Sequence, residues 1–320
     1  MAGEFALLAA LRDLLDGDGP GLPRGVDDDA AVIDHTGPVV AAVDTLVEGV
    51  HFDRRLSSLE DVGFKALAVN VSDLAAMGAL PDVALISLQR PSDLTVDQAR
   101  ELYTGMRSAA DRWGCRLVGG DTVTSPVLAV SVTVLGRLVD ERVVLRRDGA
   151  APGDLVVVVG SLGAAAAGLE ALRHDEHRIL ADHPELATAH RRPEALTEAV
   201  PPMVVAGVSS AIDVSDGLGR DLGHLARLSG VGIRLDADRL PRSEGVLALA
   251  HRLDLDPLDL IVGGGEDQAL AMTVPPGRLG RLDAGLDGVG LRARVVGEVV
   301  VGAGVDLDGR EVGALGWEHH

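Results

Sequence analysis

Three short β-like runs in this chain end in an aspartate. "PVVAAV" runs into Asp44, "CRLVGG" into Asp121 and "SSAI" into Asp213. Segments with helical apolar spacing alternate with them: "SLEDVGFKALAVNVSDLAAMGA", "TVDQARELYTGMRSAADRWG" and "GLGRDLGHLARLSG". This alternation predicts a mixed α and β architecture. In open α/β sheets, ligands bind beyond strand ends. The pattern therefore limits the fold and also sets carboxylates where a ligand would sit.

Turn residues in "RRDGAAPGDLVVVVG" precede a new strand, which puts a domain boundary near Asp148 and predicts domains 1–148 and 149–320. "LVGGDT" and "IVGGGEDQ" look faintly alike, one in each half, as two related domains would allow. Hydrophobic residues make up 47% of the chain and aromatics only 2%, so a sizeable core is expected, built from Val, Leu and Ala.

Several function classes drop out. A net charge of -20 disfavours nucleic acid as a partner. Phosphate ligands remain open if divalent cations neutralise the repulsion. Lys65 is the only lysine and lies between Phe64 and Ala66, which excludes a Walker A loop. The strand and loop motifs of protein kinases are absent as well. Cys115 is the only cysteine. It excludes an intrachain disulfide, suits a reducing cytoplasm, and reads as a small core residue rather than a nucleophile. The start, "MAGEFALLAALRDLLDG", has Glu4 where a signal peptide needs a basic residue, and its spacing predicts an amphipathic helix ending near Gly17. No apolar run reaches membrane-spanning length; the nearest is broken by Gly160, Ser161 and Gly163, a turn between strand and helix. The ten histidines are scattered, and no Cys/His cluster suits zinc.

The acids carry the remaining signal: Asp27, Asp28 and Asp29; Asp44 with Glu48 and His51; Asp73; Asp121; Asp213, Asp216 and Asp221; Glu266 and Asp267. Many have glycine neighbours, which let backbone approach a ligand. Asn70 and Asp73 share one face of an otherwise apolar helix. An unpaired carboxylate there costs several kcal/mol; it is tolerable beside a cation, or as part of a cap or a wet stripe. The "DGLGRDL" helix is expected to begin near Ser215 or Asp216, with its first N–H groups open to an anion and Ser215 as N-cap, ligand contact or both. Magnesium takes one or two carboxylates plus phosphate oxygens, so five or more converging aspartates predict a cage for several ions.

"DTLVEGVHF", "KALAVNVSDLAAMGALP", "VGGDT", "RRDGAAPGD", "AIDVSDGL" and "GGGEDQAL", in order from "GEF" at Gly3 to "GW" at Trp317, together resemble the thiamine-monophosphate kinase family of the aminoimidazole-ribonucleotide synthetase superfamily. The resemblance implies an α+β fold of two such domains, an N-terminal sheet with helices and a C-terminal α/β domain. It implies a cytoplasmic homodimer joined through the N-terminal domains. It also implies the last step of thiamine diphosphate biosynthesis: ATP phosphorylates thiamine monophosphate by direct in-line transfer on several Mg²⁺ ions.

On this sequence the resemblance makes Asp29, Asp44, Asp73, Asp121 and Asp213 the metal ligands, with carbonyls at Ala42 and Val43, and Asp216 the holder of a further ion. Asp44, Asp73 and Asp121 stand at the chemistry. Ser215, Gly120 with Asp121, and Arg147 lie at the nucleotide, with Tyr103 packed nearby. His51, Glu266 and Trp317 contact thiamine monophosphate. The chain departs from the family pattern at Asp27, where glycine is usual, at Ala42 and Val43, where hydroxyl residues are usual, and at Gln268, where tyrosine is usual. Two other readings use the same fold: transfer to a different acceptor, and a catalytically silent ATP-binding protein. Cys115 does not fit the reactive cysteine that one such acceptor, selenophosphate synthesis, expects near the N-terminus, and Ala42 and Val43 are the only features that favour the silent protein.

Overall fold

The computed structural model describes residues 4–17, 22 and 30–318. They form two compact units, one of residues within 4–74 and 80–141, the other of 75–79 and 142–318. The first unit holds α1 (Glu4–Leu11), β1 (Val39–Val47), α2 (Leu59–Ala76), β2 (Ala79–Arg90), α3 (Val96–Trp113), β3 (Arg116–Thr124) and β4 (Ala129–Leu138). Its sheet runs in the order β1-β4-β2-β3, so β1 and β3 are the edges. β1 pairs antiparallel with β4, and β2 pairs parallel with β3 across a bulge at Ala84/Leu85.

Local sequence explains these elements. α3 opens with a capping box between Thr95 and Gln98 and ends at Gly114 in a left-handed conformation. In β4, Val130, Val132 and Val134 alternate into the core and are essentially unexposed. α2 buries Leu67, Val71 and Leu74 at helical spacing. Cys115 is buried, and burial pushes its thiol up to about 12, which makes it an inert core residue. α1 ends at Leu11 and passes into a 3-10 turn at Arg12–Leu14, earlier than the end near Gly17 that its spacing predicts.

The second unit holds β5 (Leu155–Val159), α4 (Ala164–Arg173), α5 (His177–Asp182), α6 (Pro184–Arg191), α7 (Val200–Ala206), β6 (Ser210–Val214), α8 (Leu218–Ser229), β7 (Gly232–Leu235), α9 (Glu244–Leu253), α10 (Pro257–Val262), β8 (Ala269–Val274), α11 (Leu279–Asp287), β9 (Ala293–Val300), β10 (Gly304–Leu307) and β11 (Arg310–Glu311). The sheet order is β11-β10-β7-β9-β5-β8-β6, which leaves β6 at an edge.

Its strands are covered on both faces, which is why "LVVVV" needs no polar alternation. Val156 and Val158 pack with Leu218, Leu222 and Leu225 of α8. Val157 and Val159 pack with Met203 of α7 and with Leu282 and Leu286 of α11. The glycines after β5 make the strand-to-helix turn that the sequence predicts, so the longest apolar stretch is two elements. Among the described residues no helix is long and apolar enough to cross a membrane.

Candidate active site

The best-defined part of the site lies where β6 hands over to α8. Asp213, in the last full turn of the strand ladder, is 2% exposed and registers with Leu270 of β8. The chain then turns through Ser215, Asp216 and Gly217 before α8 begins at Leu218. Asp221 reaches back from the helix: its Oδ2 accepts the N–H groups of Ser215 at 3.0 Å and of Asp216 and Gly217 at 3.1 Å. This corrects the sequence expectation at that point. Ser215 does not cap the helix, and these N–H groups are already engaged by a carboxylate. Burial, with Asp213 and Asp216 close by, pushes the Asp221 pKa up to about 8.

The "GGGEDQ" segment folds against the same turn. Glu266 donates its N–H to the Ser215 carbonyl at 2.7 Å, and Gln268 donates to Val214 at 2.9 Å. Both residues have left-handed backbone, φ +68° and +51°, which a non-glycine residue adopts only under constraint. Asp267, between them, supplies that constraint. Its carboxylate accepts the N–H of Gly163 at 2.6 Å and of Ala165 at 3.1 Å at the start of α4. Burial raises its pKa to about 7 despite those bonds.

From the other direction Trp317 donates its N–H to the Asp216 carbonyl at 2.9 Å, with 51% of the residue exposed. Ser215 and Asp216 are thus bonded to Glu266 on one side and Trp317 on the other. The sequence reading missed His190 of α6, which is buried with Nδ1 3.2 Å from Glu266 Oε2. Nothing in "LATAHRRPEAL" marks that histidine, because its partner lies in a distant loop. Arg147 is exposed, its carbonyl accepts the Ser229 hydroxyl at 2.9 Å, and after burial it is the main cause of the lowered His224 pKa.

In the first unit, Asp44 is exposed on edge strand β1 opposite Val132, directly after Ala42 and Val43. Asp121 is exposed on the other edge, β3, opposite Ser87. The preceding Gly120 cannot be replaced there, since a Cβ would lie 1.6 Å from the Ile86 carbonyl oxygen. Asp73 is half-buried on α2. One turn earlier Asn70 is fully buried, its Nδ2 donating to the Ala66 carbonyl at 3.0 Å while Oδ1 has no hydrogen-bond partner among the described residues. His51 accepts the Val47 N–H at Nδ1 over 3.1 Å, so the neutral ring carries its proton on Nε2.

Tyr103 is buried on the inner face of α3, with its phenol pKa raised by burial. Among the described residues no group of three or more His, Cys, Asp or Glu side chains is placed as a metal site. Asp44 and Asp121 lie on the two edge strands of the first sheet, β1 and β3. Asp29 lies outside the described residues.

The donor chemistry nevertheless fits magnesium. Among the described residues a buried carbonyl oxygen on Asn70 lacks a hydrogen-bond partner one turn from Asp73, and Asp213 and Asp216 lie near enough to Asp221 to raise its pKa. Magnesium draws much of its shell from water and substrate phosphate, and needs few protein carboxylates.

Two family models match in tandem: AIR synthase related protein, N-terminal domain, over residues 27–138, and AIR synthase related protein, C-terminal domain, over residues 151–309. Together they define a two-domain AIR synthase related protein with an α+β fold. Within that class the likeness is narrower. The chain is 35% identical over 318 residues to the thiamine-monophosphate kinase of Aquifex aeolicus, covering 99% of this chain and 98% of that one. It is 34% identical to the Salmonella typhimurium enzyme of the same name, covering 93% and 90%. The solved thiamine-monophosphate kinase of Stenotrophomonas maltophilia superposes with a TM-score of 0.86 at 35% identity, covering 97% and 98%. AaThiL complexed with AMPPCP and TMP superposes with a TM-score of 0.81 at 35% identity, covering 99% and 97%. The chain belongs to the thiamine-monophosphate kinase family.

Proposed function

We propose that this enzyme moves the terminal phosphoryl group of ATP onto the phosphate of thiamine monophosphate, giving thiamine diphosphate and ADP. A phosphate oxygen of thiamine monophosphate attacks the γ-phosphorus, and the bond from that phosphorus to the β,γ-bridging oxygen breaks in line. The observation that carries the reading is the full-length likeness to a kinase complexed with AMPPCP and TMP. The bonding of Glu266 and Trp317 to the Ser215–Asp216 turn supports it.

Such transfer needs positioning and charge neutralisation more than covalent help. Asp44, Asp73 and Asp121 in the first unit, with carbonyls at Ala42 and Val43, and Asp213 and Asp216 in the second, are the residues we assign to magnesium; Asp29 joins them from the resemblance alone. Bound there, the ions would screen the phosphates from the carboxylates and from each other. Ser215, Gly120 and Arg147 are assigned to the nucleotide. Glu266 sets a carboxylate against the cationic thiazolium ring, Trp317 offers it an aromatic face, and His51 completes the acceptor contacts. We further propose a cytoplasmic homodimer. Edge strand β1 exposes Val39 and Val43, an uncovered apolar margin of the kind that pairs with a second copy.

Purified chain with ATP, Mg²⁺ and thiamine monophosphate should yield thiamine diphosphate and ADP in equal amounts, and EDTA should stop both. ADP released only with a different acceptor, or nucleotide binding without turnover, would overturn the assignment.

A further inference from the structure

The chain's last described segment, Gly313–Glu318, has no regular secondary structure and crosses the start of α8. Arg220, in the first turn of that helix, meets it at three points. Its N–H donates to the Leu315 carbonyl at 2.9 Å. Its Nη2 lies 3.2 Å from the Ala314 carbonyl and 3.3 Å from Glu318 Oε2. One guanidinium therefore grips the strap both before and after Trp317. Gly316 makes the approach possible, with φ +147° and room for no side chain: a Cβ there would lie 2.5 Å from the Asp216 carbonyl oxygen and 2.8 Å from Arg220 Cβ.

We propose that Arg220 is a positioning residue for the acceptor: by clamping the strap it fixes the Trp317 ring beside the Ser215–Asp216 turn. The inference rests on the functional reading above, which gives Trp317 its acceptor contact. Arg220 touches no substrate in this scheme and acts through Trp317. A segment without helix or strand bonds owes its order to tertiary anchors. Nη2 carries two N–H bonds held in the guanidinium plane, one for each acceptor, an orientation that a lysine ammonium on a flexible stem does not fix.

The test combines kinetics with fluorescence. Trp317 and the buried Trp113 are the only tryptophans, so Trp317→Phe supplies the blank for the Trp317 signal. In Arg220→Met the KM for thiamine monophosphate should rise at least fivefold, while kcat and the KM for ATP stay within twofold. Acrylamide quenching of Trp317 should rise, and Arg220→Lys should restore both readouts in part. Glu318→Gln, which alters only an exposed partner on the strap, should raise quenching to a smaller degree, and it keeps the test readable should Arg220→Met fold poorly. Unchanged quenching, or equal rises in both KM values, overturns the clamp. Absence of thiamine diphosphate from the unaltered chain overturns the functional reading and the acceptor role together. Normal wild-type turnover with unaltered Arg220→Met kinetics overturns the clamp alone.

Discussion

The N–H of Trp317 donates to the Asp216 carbonyl at 2.9 Å, joining the end of the described chain to the acidic turn after an edge strand. This bond uses backbone on both sides, and the Trp317 residue is half exposed. Trp317→Ala keeps the backbone bond and removes only the aromatic face. KM for thiamine monophosphate should rise about tenfold, equal to about 1.4 kcal/mol, with KM for ATP little changed. Equal changes in both would remove Trp317 from the acceptor pocket.

Asp73 stands half-buried on α2 between Ser72 and Leu74, one turn after an asparagine whose buried Oδ1 has no hydrogen-bond partner among the described residues. In our assignment the Asp73 carboxylate meets magnesium. Asp73→Asn preserves shape and removes the charge. Turnover should fall by at least about a hundredfold, in line with the loss of a group that neutralises transition-state charge, while the thermal midpoint stays within a few degrees. Near-normal turnover would end the metal role.

Asp221 and Asp267 give the metal-free protein a definite pH response. Their folded pKa values, about 8 and about 7, lie above the ordinary 3.8. Between those limits the folded chain binds more protons than the unfolded chain, so the stability from these groups is full at acid pH and is lost as pH rises through 7 to 8. In EDTA the unfolding free energy should decline from pH 5 to 8, by at most about 1.4 kcal/mol per pH unit for each group. Asp221→Asn should flatten the upper part of that decline. A midpoint in EDTA that climbs over this range would contradict both assignments.

The sequence made part of this site legible and hid part of it. β1 and β3 showed as apolar runs interrupted by Asp44 and Asp121, although both strands run on past the acid, to Val47 and Thr124, and only β6 stops close to its own, Asp213; α2, α3 and α8 showed as periodic apolar spacing. These are local signals, set by which side chains a strand or helix must bury. The Ser215 turn was misread because Asp221 reaches back from the helix to bond three N–H groups, which no spacing rule encodes. Pairing of Glu266 with His190 depends on how α6 and the glycine loop meet in space, and no motif spans the two.

His190 is buried, and its Nδ1 lies 3.2 Å from Glu266 Oε2, on a residue whose backbone is itself held left-handed. The His190 ring stands against the Glu266 carboxylate, and in our assignment that carboxylate meets the thiazolium. His190→Ala removes the contact and leaves a cavity, so it should cost about 1–3 kcal/mol of stability and raise KM for thiamine monophosphate. The stability loss alone does not identify the role. His190→Gln retains a donor with less ring volume, and it should bring KM back towards wild type while leaving much of the stability loss in place. Measuring both variants by thermal unfolding and by initial rates over a thiamine monophosphate series separates packing from orientation. If KM follows the thermal midpoint in both variants, His190 only fills space, and Glu266 needs no partner to face its substrate.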